Sequence, residues 1–449
     1  KEPLAIAVFF ISKLYFRKAM RIEKSVEIPQ DLPLLQQLVC WANQEPVSCL
    51  LLSNNQVNAY GAYDYVFAAG AHESLQVSTG TAFEALKAFR KRTQDFILGY
   101  FSYDLKNELE EVKSENLDGL DFPDLFFFQP KKLWLVKKNE ITCLYLEEYA
   151  NELDADIDKV FNQAFQIENT VASEKPRIQV RFNRDAYCAQ VSKMLDHIKR
   201  GDIYEANFCQ EFYSEAAIDP VASFLHLNSI SEAPFAAFFK NETHFALCSS
   251  PERFLAKRGT ELISQPIKGT APRSVNATED AFLARQLAND AKERTENIMI
   301  TDLVRNDLSK KALKGSVRVE ELCKIYSFKQ VHQMISTISA QVDADENPVE
   351  LIKMAFPMGS MTGAPKVSAM YIIEQLENHK RGLYSGSIGY FEPNGDFDFN
   401  VMIRSILYNA AKPYVSFSVG SAITAQALPE KEYQECLLKA KAMREALEL

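Results

Sequence analysis

The chain has 449 residues, of which 47% are hydrophobic, and a formal net charge of -10 at pH 7. That is ample apolar material for one large domain or two, and the absence of Lys/Arg-rich runs excludes a nucleic-acid surface, so an anionic substrate would have to be met by local cations. Eight cysteines without a Cys-x-x-Cys spacing, in a chain too long to need covalent staples, predict reduced thiols in a cytosol, and the six histidines show no metal-ligand spacing.

Residues 4–16, LAIAVFFISKLYF, are apolar but interrupted by Lys13 and too short to span a bilayer, and no small-residue cleavage site follows. Met20 opens MRIEKSVEIP as a natural start would, so residues 1–19 are read as an added or mis-assigned extension, and no membrane role is expected. Residues 20–175 read as a scaffold region. Short strands are expected at 49–52 and 96–101, then an acidic surface excursion at 107–124 leading to Phe126-Phe127-Phe128. A hairpin follows, made of residues 134–136 and 141–146, and then a linking helix over 150–166 before the polar joint Ser173-Glu174-Lys175-Pro176.

The second region, 176–449, opens with Asn183 as a helix cap, Tyr187, Val191, Met194, Leu195 and Ile198 at helical spacing, and Gly201 as the stop. Residues 203–210 alternate as a half-buried strand, and 235–239 with 245–248 read as an antiparallel pair. Residues 264–273, with a proline on each side of Lys268, a glycine after it and Arg273 beyond, predict a stiff, shaped loop that is neither helix nor central strand. Pro393-Asn394-Gly395 turns a hairpin between 386–392 and 396–407, whose second strand would carry Asp398, Asn400, Met402 and Arg404 on one face. Hairpin-joined strands with long helices between groups of them predict an α+β fold.

Two acidic pairs share a three-residue spacing that puts each on one helix face: Glu293 with Glu296, and Glu432 with Glu435 just inside a helix opened by Pro429, with Lys439 extending the second face. Any single Glu-x-x-Glu is more often an ordinary charged surface. Likewise Lys268 and Glu252, each in a turn-like stretch, describe a solvated ion pair as readily as a site. Residues 359–366 resemble a phosphate loop only loosely, lacking its Gly-Lys-Ser/Thr ending.

The wording around these residues changes that balance. Ser250-Pro251-Glu252-Arg253-Phe254, Pro266-Ile267-Lys268-Gly269-Thr270-Ala271-Pro272-Arg273, Ala291-Lys292-Glu293-Arg294-Thr295-Glu296-Asn297, residues 302–308 (DLVRNDL) and Gly363-Ala364-Pro365-Lys366 closely resemble the chorismate-utilising enzymes. The resemblance is dense from 176 to 449 and diffuse before. Within the family the wording is closest to the aminodeoxychorismate synthase component I branch; anthranilate synthases carry alanine where Lys268 stands and a Leu-Leu-Glu-Ser wording absent here.

The resemblance implies two large antiparallel sheets packed together with helices outside, the N-terminal region also contributing strands. It implies Lys268 as a nucleophile toward chorismate C2, and Glu252 as acid and then base while ammonia replaces the C4 hydroxyl. It places Thr270, Tyr384, Arg404, Lys439 and the backbone near Gly363 and Gly420 around the substrate. It implies Mg2+ on Glu296 and Glu435, with Glu293 and Glu432 held nearby through water. A lysine nucleophile must be neutral, so its pKa is expected to be lowered by burial or nearby cations. No Gly-x-Cys-x-Gly nucleophile or His-x-Glu partner of a glutaminase is present, so a separate amidotransferase subunit is expected to deliver ammonia. The chain departs from the family at Gln333-Met334-Ile335-Ser336, usually His-Leu-Val-Ser, and at Gly420-Ser421-Ala422-Ile423-Thr424, usually Gly-x-Gly-Ile-Val. The alternatives are an anthranilate synthase or a salicylate/isochorismate relative, and, of another kind, a non-catalytic chorismate- or partner-binding subunit.

Overall fold

The computed structural model describes residues 20–56, 59–78, 80–162 and 175–448; the extension at 1–19 and the end of the predicted helix at 163–166 lie outside them. Every ladder between named strands is antiparallel. The strands join into one network that folds over on two long members, Tyr65–Val77 and Leu125–Lys137. The first half of Leu125–Lys137 pairs with Ile97–Phe101, and its second half with Glu140–Leu146, so it belongs to two sheets in turn.

One sheet runs from Glu205–Ser214 through Tyr414–Thr424, Ser405–Asn409, His244–Ser250 and Phe235–Asn241 to Val47–Leu52. The other runs from Ile97–Phe101 through Ser387–Phe391, Phe397–Asn400, Arg253–Arg258 and Glu261–Gln265 to Val331–Gln341. Strand alternation sorts their side chains. Phe239, Ala246 and Cys248 face the second sheet, where Phe239 meets the edge of Tyr100 at 5.3 Å. Phe238 and Leu247 face a helical layer, and Phe238 packs on Phe224 of Pro220–Ser231 at 5.5 Å. This is the α+β architecture of two packed antiparallel sheets with helices outside.

Local signals are placed as expected. Asn183 accepts a hydrogen bond from Ala186 N–H at the start of Arg184–Arg200, and Gly201 closes that helix at φ +86°. Trp134 stands opposite Cys143 in the predicted hairpin, and Gly389 opposite Phe399 in the one that Asn394-Gly395 turns. The helix read over 150–166 begins as a 3-10 turn at Glu147–Glu152 and continues as Leu153–Asn162. No helix of the described residues is long and apolar enough to cross a membrane.

Three expectations are corrected. Residues 264–273 are not a free loop: Glu261–Gln265 and Ile267–Pro272 are strands, broken only at Pro266, and both pair with Val331–Gln341. The strand at 203–210 runs over Glu205–Ser214 and is buried on both faces, since a helical layer covers Ala206, Phe208 and Phe212 on one side and the sheet-to-sheet core takes in Cys209 on the other. The strand at 396–407 is interrupted: Phe397–Asn400 ends, Arg404 takes a left-handed φ of +53°, and Ser405–Asn409 begins. The break lets Val401 N–H donate to Glu252 O (3.0 Å) and Ser249 N–H to Arg404 O (3.1 Å), which stitches the Glu252 turn to this segment.

Candidate active site

A cavity of about 600 Å³ opens where the two sheets meet the helices Ala291–Ser309 and Pro429–Leu447. Lys268, Glu252, Thr270, Tyr384, Arg404, Gly420, Lys439, Glu293, Glu296 and Glu435 line it. Gly363 and Glu432 do not. Gly363 sits behind the wall, where an added Cβ would lie 2.1 Å from Glu205 O, so the segment after Met361 lies directly on the strand Glu205–Ser214. Glu432 is buried beside the cavity, as a member of the acidic cluster described below.

Lys268 is held rigidly. Asn297 Nδ2, on the acidic helix, donates to Lys268 O (3.2 Å) and to Met334 O (2.9 Å), tying the helix to the lysine's strand and its neighbour. Gly269 at φ +97° permits that closeness, because a Cβ there would meet Met334 Cβ at 3.2 Å and Glu293 Cβ at 3.3 Å. The Lys268 side chain is only 11% exposed, and its ammonium pairs with Glu205 Oε1 at 3.1 Å. This replaces the surface-pair picture in two respects: the amine is buried, and its ion-pair partner is Glu205, which was not singled out in the sequence. The available signal was an acid opening a strand that carries Ala206, Phe208 and Phe212.

Burial disfavours the Lys268 charge, yet Glu205, Glu296 and Glu252 together outweigh it and hold the pKa above the ordinary lysine value. The expected lowering is therefore reversed in the protein alone, because acceptors surround the amine on several sides. Glu252 behaves in the opposite sense to an exposed acid. Burial pushes its carboxyl up to about 7, against the pull of a Ser360 hydrogen bond, the Lys268 charge and the Ile267 N–H. Glu296 is likewise pushed up to about 7, chiefly by burial, with Lys268 and Lys292 opposing.

Across the cavity, Lys439 Nζ donates to Gly420 O (3.0 Å) and pairs with Glu435 (2.6 Å), while Arg404 reaches toward Lys439 O at 3.5 Å. Tyr384 OH accepts from Cys209 Sγ at 3.8 Å. Gln333 stands opposite Thr270 in the strand ladder and lines the cavity, its Oε1 buried without a partner. Ala422 lines the same space. These cations and the tyrosine suit an anion with more than one carboxylate.

The two acidic helices bring Glu293, Glu296, Glu432 and Glu435 together around Lys292, whose charge bears on all four. Their donor chemistry fits a hard divalent cation: all ligands are carboxylate oxygens, two ammoniums (Lys292 and Lys439) face four carboxylates, and the buried Glu296 Oε1 makes no hydrogen bond. Among the described residues no three such side chains are already drawn in tightly enough to cage an ion.

The chain resembles known proteins over most of its length. The chain is 36% identical over 353 residues to aminodeoxychorismate synthase component 1 of Escherichia coli (strain K12), covering 78% of this chain and 76% of that protein. It is 32% identical over 360 residues to anthranilate synthase component 1 of Thermus thermophilus, covering 79% and 77%. The crystal structure of anthranilate synthase component I from Streptococcus pneumoniae shares the fold, with a TM-score of 0.75 at 22% identity over 87% of this chain and 94% of that one. With its pocket built on both sheets, and with residues 39–445 matching the family model for chorismate binding enzymes, the chain belongs to that family.

Proposed function

We propose that this protein is a cytosolic enzyme that replaces the C4 hydroxyl of chorismate with an amino group, giving 4-amino-4-deoxychorismate for para-aminobenzoate and folate synthesis. The observation that carries the reading is Lys268: a primary amine in the wall of the cavity, almost wholly buried and surrounded by Glu205, Glu252 and Glu296. An amine needed only to attract an anion would gain nothing from that company of acids.

In this reading Lys268 rests as an ammonium and passes a proton to a neighbouring carboxylate as substrate fills the cavity. The neutral amine bonds to C2, the ring's double bonds shift toward C4, and the C4–O bond breaks. Glu252, with a carboxyl that titrates near 7, supplies the proton that leaves with the hydroxyl as water. Ammonia then bonds to C4, Glu252 takes its excess proton, the double bonds shift back, and the Lys268–C2 bond breaks. Arg404, Lys439, Tyr384 and Thr270, with backbone N–H groups near Gly420, orient the substrate carboxylates. Glu296 and Glu435, with Glu293 and Glu432 beside them, would hold magnesium, which when bound would supply positive charge to one substrate carboxylate.

Glu296→Gln or Glu435→Gln is accordingly expected to raise the Mg2+ concentration needed for half-maximal turnover by at least about tenfold while leaving the fold intact. Unchanged metal dependence in both variants, measured by titration of EDTA-treated protein, would remove these residues from the site.

The ammonia is supplied by a glutamine amidotransferase subunit in trans. The isolated chain with chorismate and Mg2+ is expected to form aminodeoxychorismate from ammonium salts and not from glutamine, with the product identified by chromatography. Glutamine-dependent product from the single chain would refute the separate-subunit reading. The Thermus relative favours a second reading, amination at C2 with loss of pyruvate; anthranilate in the same assay would establish it.

A further inference from the structure

The acidic cluster already contains a cation of the chain's own. Lys292, next to Glu293 on Ala291–Ser309, reaches toward the other acidic helix, with its Nζ 3.6 Å from Glu296 Oε1 and 3.9 Å from Glu432 Oε1. Both separations are ion pairs too long for directed hydrogen bonds. Glu296 Oε1 therefore stays without a hydrogen-bond partner although its side chain is only 8% exposed. Lys292 itself is 38% exposed, so its flexible stem has a way out to solvent. A cation held by charge alone, with an exit, is easily exchanged.

We propose that Lys292 is a displaceable counter-ion, which holds the two acidic helices together in the metal-free protein and is expelled when a divalent cation takes its place. This rests on the reading of the four glutamates as a magnesium site. Lone carboxylates this close repel one another, and the ammonium offsets that repulsion from the middle of the set. The same oxygens cannot serve the ammonium and a small divalent ion together, so metal must push Lys292 aside. Its charge then weakens metal binding by whatever it contributes to the metal-free state, as linkage requires.

The test uses the full chain with Mg2+ alone and no chorismate. Lys292→Met keeps much of the stem and removes the charge, while Lys292→Arg keeps the charge. By calorimetry, Lys292→Met is expected to bind Mg2+ about tenfold more tightly than wild type. It should melt at a lower temperature without metal and gain more on saturation, with Lys292→Arg close to wild type on each count. On the wild-type protein, amine labelling read peptide by peptide should become faster at Lys292 when Mg2+ is added, which decides the matter even if Lys292→Met does not fold. Equal or weaker Mg2+ binding by Lys292→Met, no binding by either protein, or labelling of Lys292 unaffected by saturating Mg2+ would overturn the proposal. Because no turnover is measured, each of these outcomes leaves the amination reading standing, and that reading falls instead on the product assay.

Discussion

Lys268→Ala is expected to lose aminodeoxychorismate formation by about 10⁴- to 10⁶-fold, the scale seen when a covalent nucleophile is removed. The reason lies in the surroundings of the amine. Its strand is tied to the acidic helix through Asn297, and three carboxylates stand ready to take its proton. Lys292 and Lys439 also line the cavity, but they are paired with the glutamates of the two acidic helices, at 3.6 Å from Glu296 and 2.6 Å from Glu435. Lys268→Arg separates bonding from attraction, because a guanidinium preserves the positive charge beside Glu205 but cannot become neutral near pH 7 and is a poor nucleophile. Arginine should therefore fail nearly as completely as alanine. Intact mass spectrometry during turnover should show a ring adduct on wild type and none on either variant. If Lys268→Arg retains most of the activity, or the adduct maps elsewhere, the covalent route is wrong and the preference for amination at C4 loses its main support.

Glu252→Gln is expected to move activity and stability in opposite directions. Turnover should fall by about 10²- to 10⁴-fold, the usual contribution of a positioned acid and base, since an amide can neither give nor take the proton at C4. Stability should rise at pH 8. The Glu252 carboxyl is buried and its pKa is raised from 4.5 to about 7 on folding, chiefly by burial. Below pH 4.5 it is protonated in both folded and unfolded chains, so its stabilising contribution is fully present there. That contribution is lost as the pH rises through the folded value near 7, because only the unfolded chain ionises freely. The stability gain of Glu252→Gln over wild type should thus be close to nil at pH 4.5, grow between 4.5 and 7, and level off near about 3 kcal/mol. Thermal midpoints of both proteins measured from pH 5 to 8 check this. A constant difference across that range would mean that Glu252 is ionised in the folded protein throughout, which would deprive the proposed step of its acid.

Such a cost is tolerated because the rest of the molecule is well buried. The sheet-to-sheet core around Phe101, Phe127, Phe239 and Phe399 and the helix-to-sheet core around Trp41, Tyr187 and Phe238 supply apolar burial on both sides of the site. Acids desolvated on such a foundation can have shifted pKa values without unfolding the chain.

The features legible in the letters alone are those that short stretches decide by local free energy. A side-chain cap at Asn183, a left-handed stop at Gly201 and a tight turn at Asn394-Gly395 depend on neighbours a few residues away, and all three are found where the letters place them. Three-residue spacing likewise put Glu293 with Glu296, and Glu432 with Glu435, on single helical faces whatever lies opposite. The motif wording assigned the chain to its family. The features hidden from the letters involve partners distant in sequence. Residues 264–273 carry two prolines and look like a loop, but Val331–Gln341 supplies backbone partners on either side of Pro266 and makes them strands. Arg404 reads as one residue of a regular strand until hydrogen bonds from Val401 to Glu252 and from Ser249 to Arg404 bend that segment around the acid. The state of Lys268 was furthest from view. Whether a buried amine is neutral or charged depends on desolvation set against every nearby carboxylate, and Glu205, Glu252 and Glu296 reach it from three separate parts of the chain, which only the folded arrangement brings to one place.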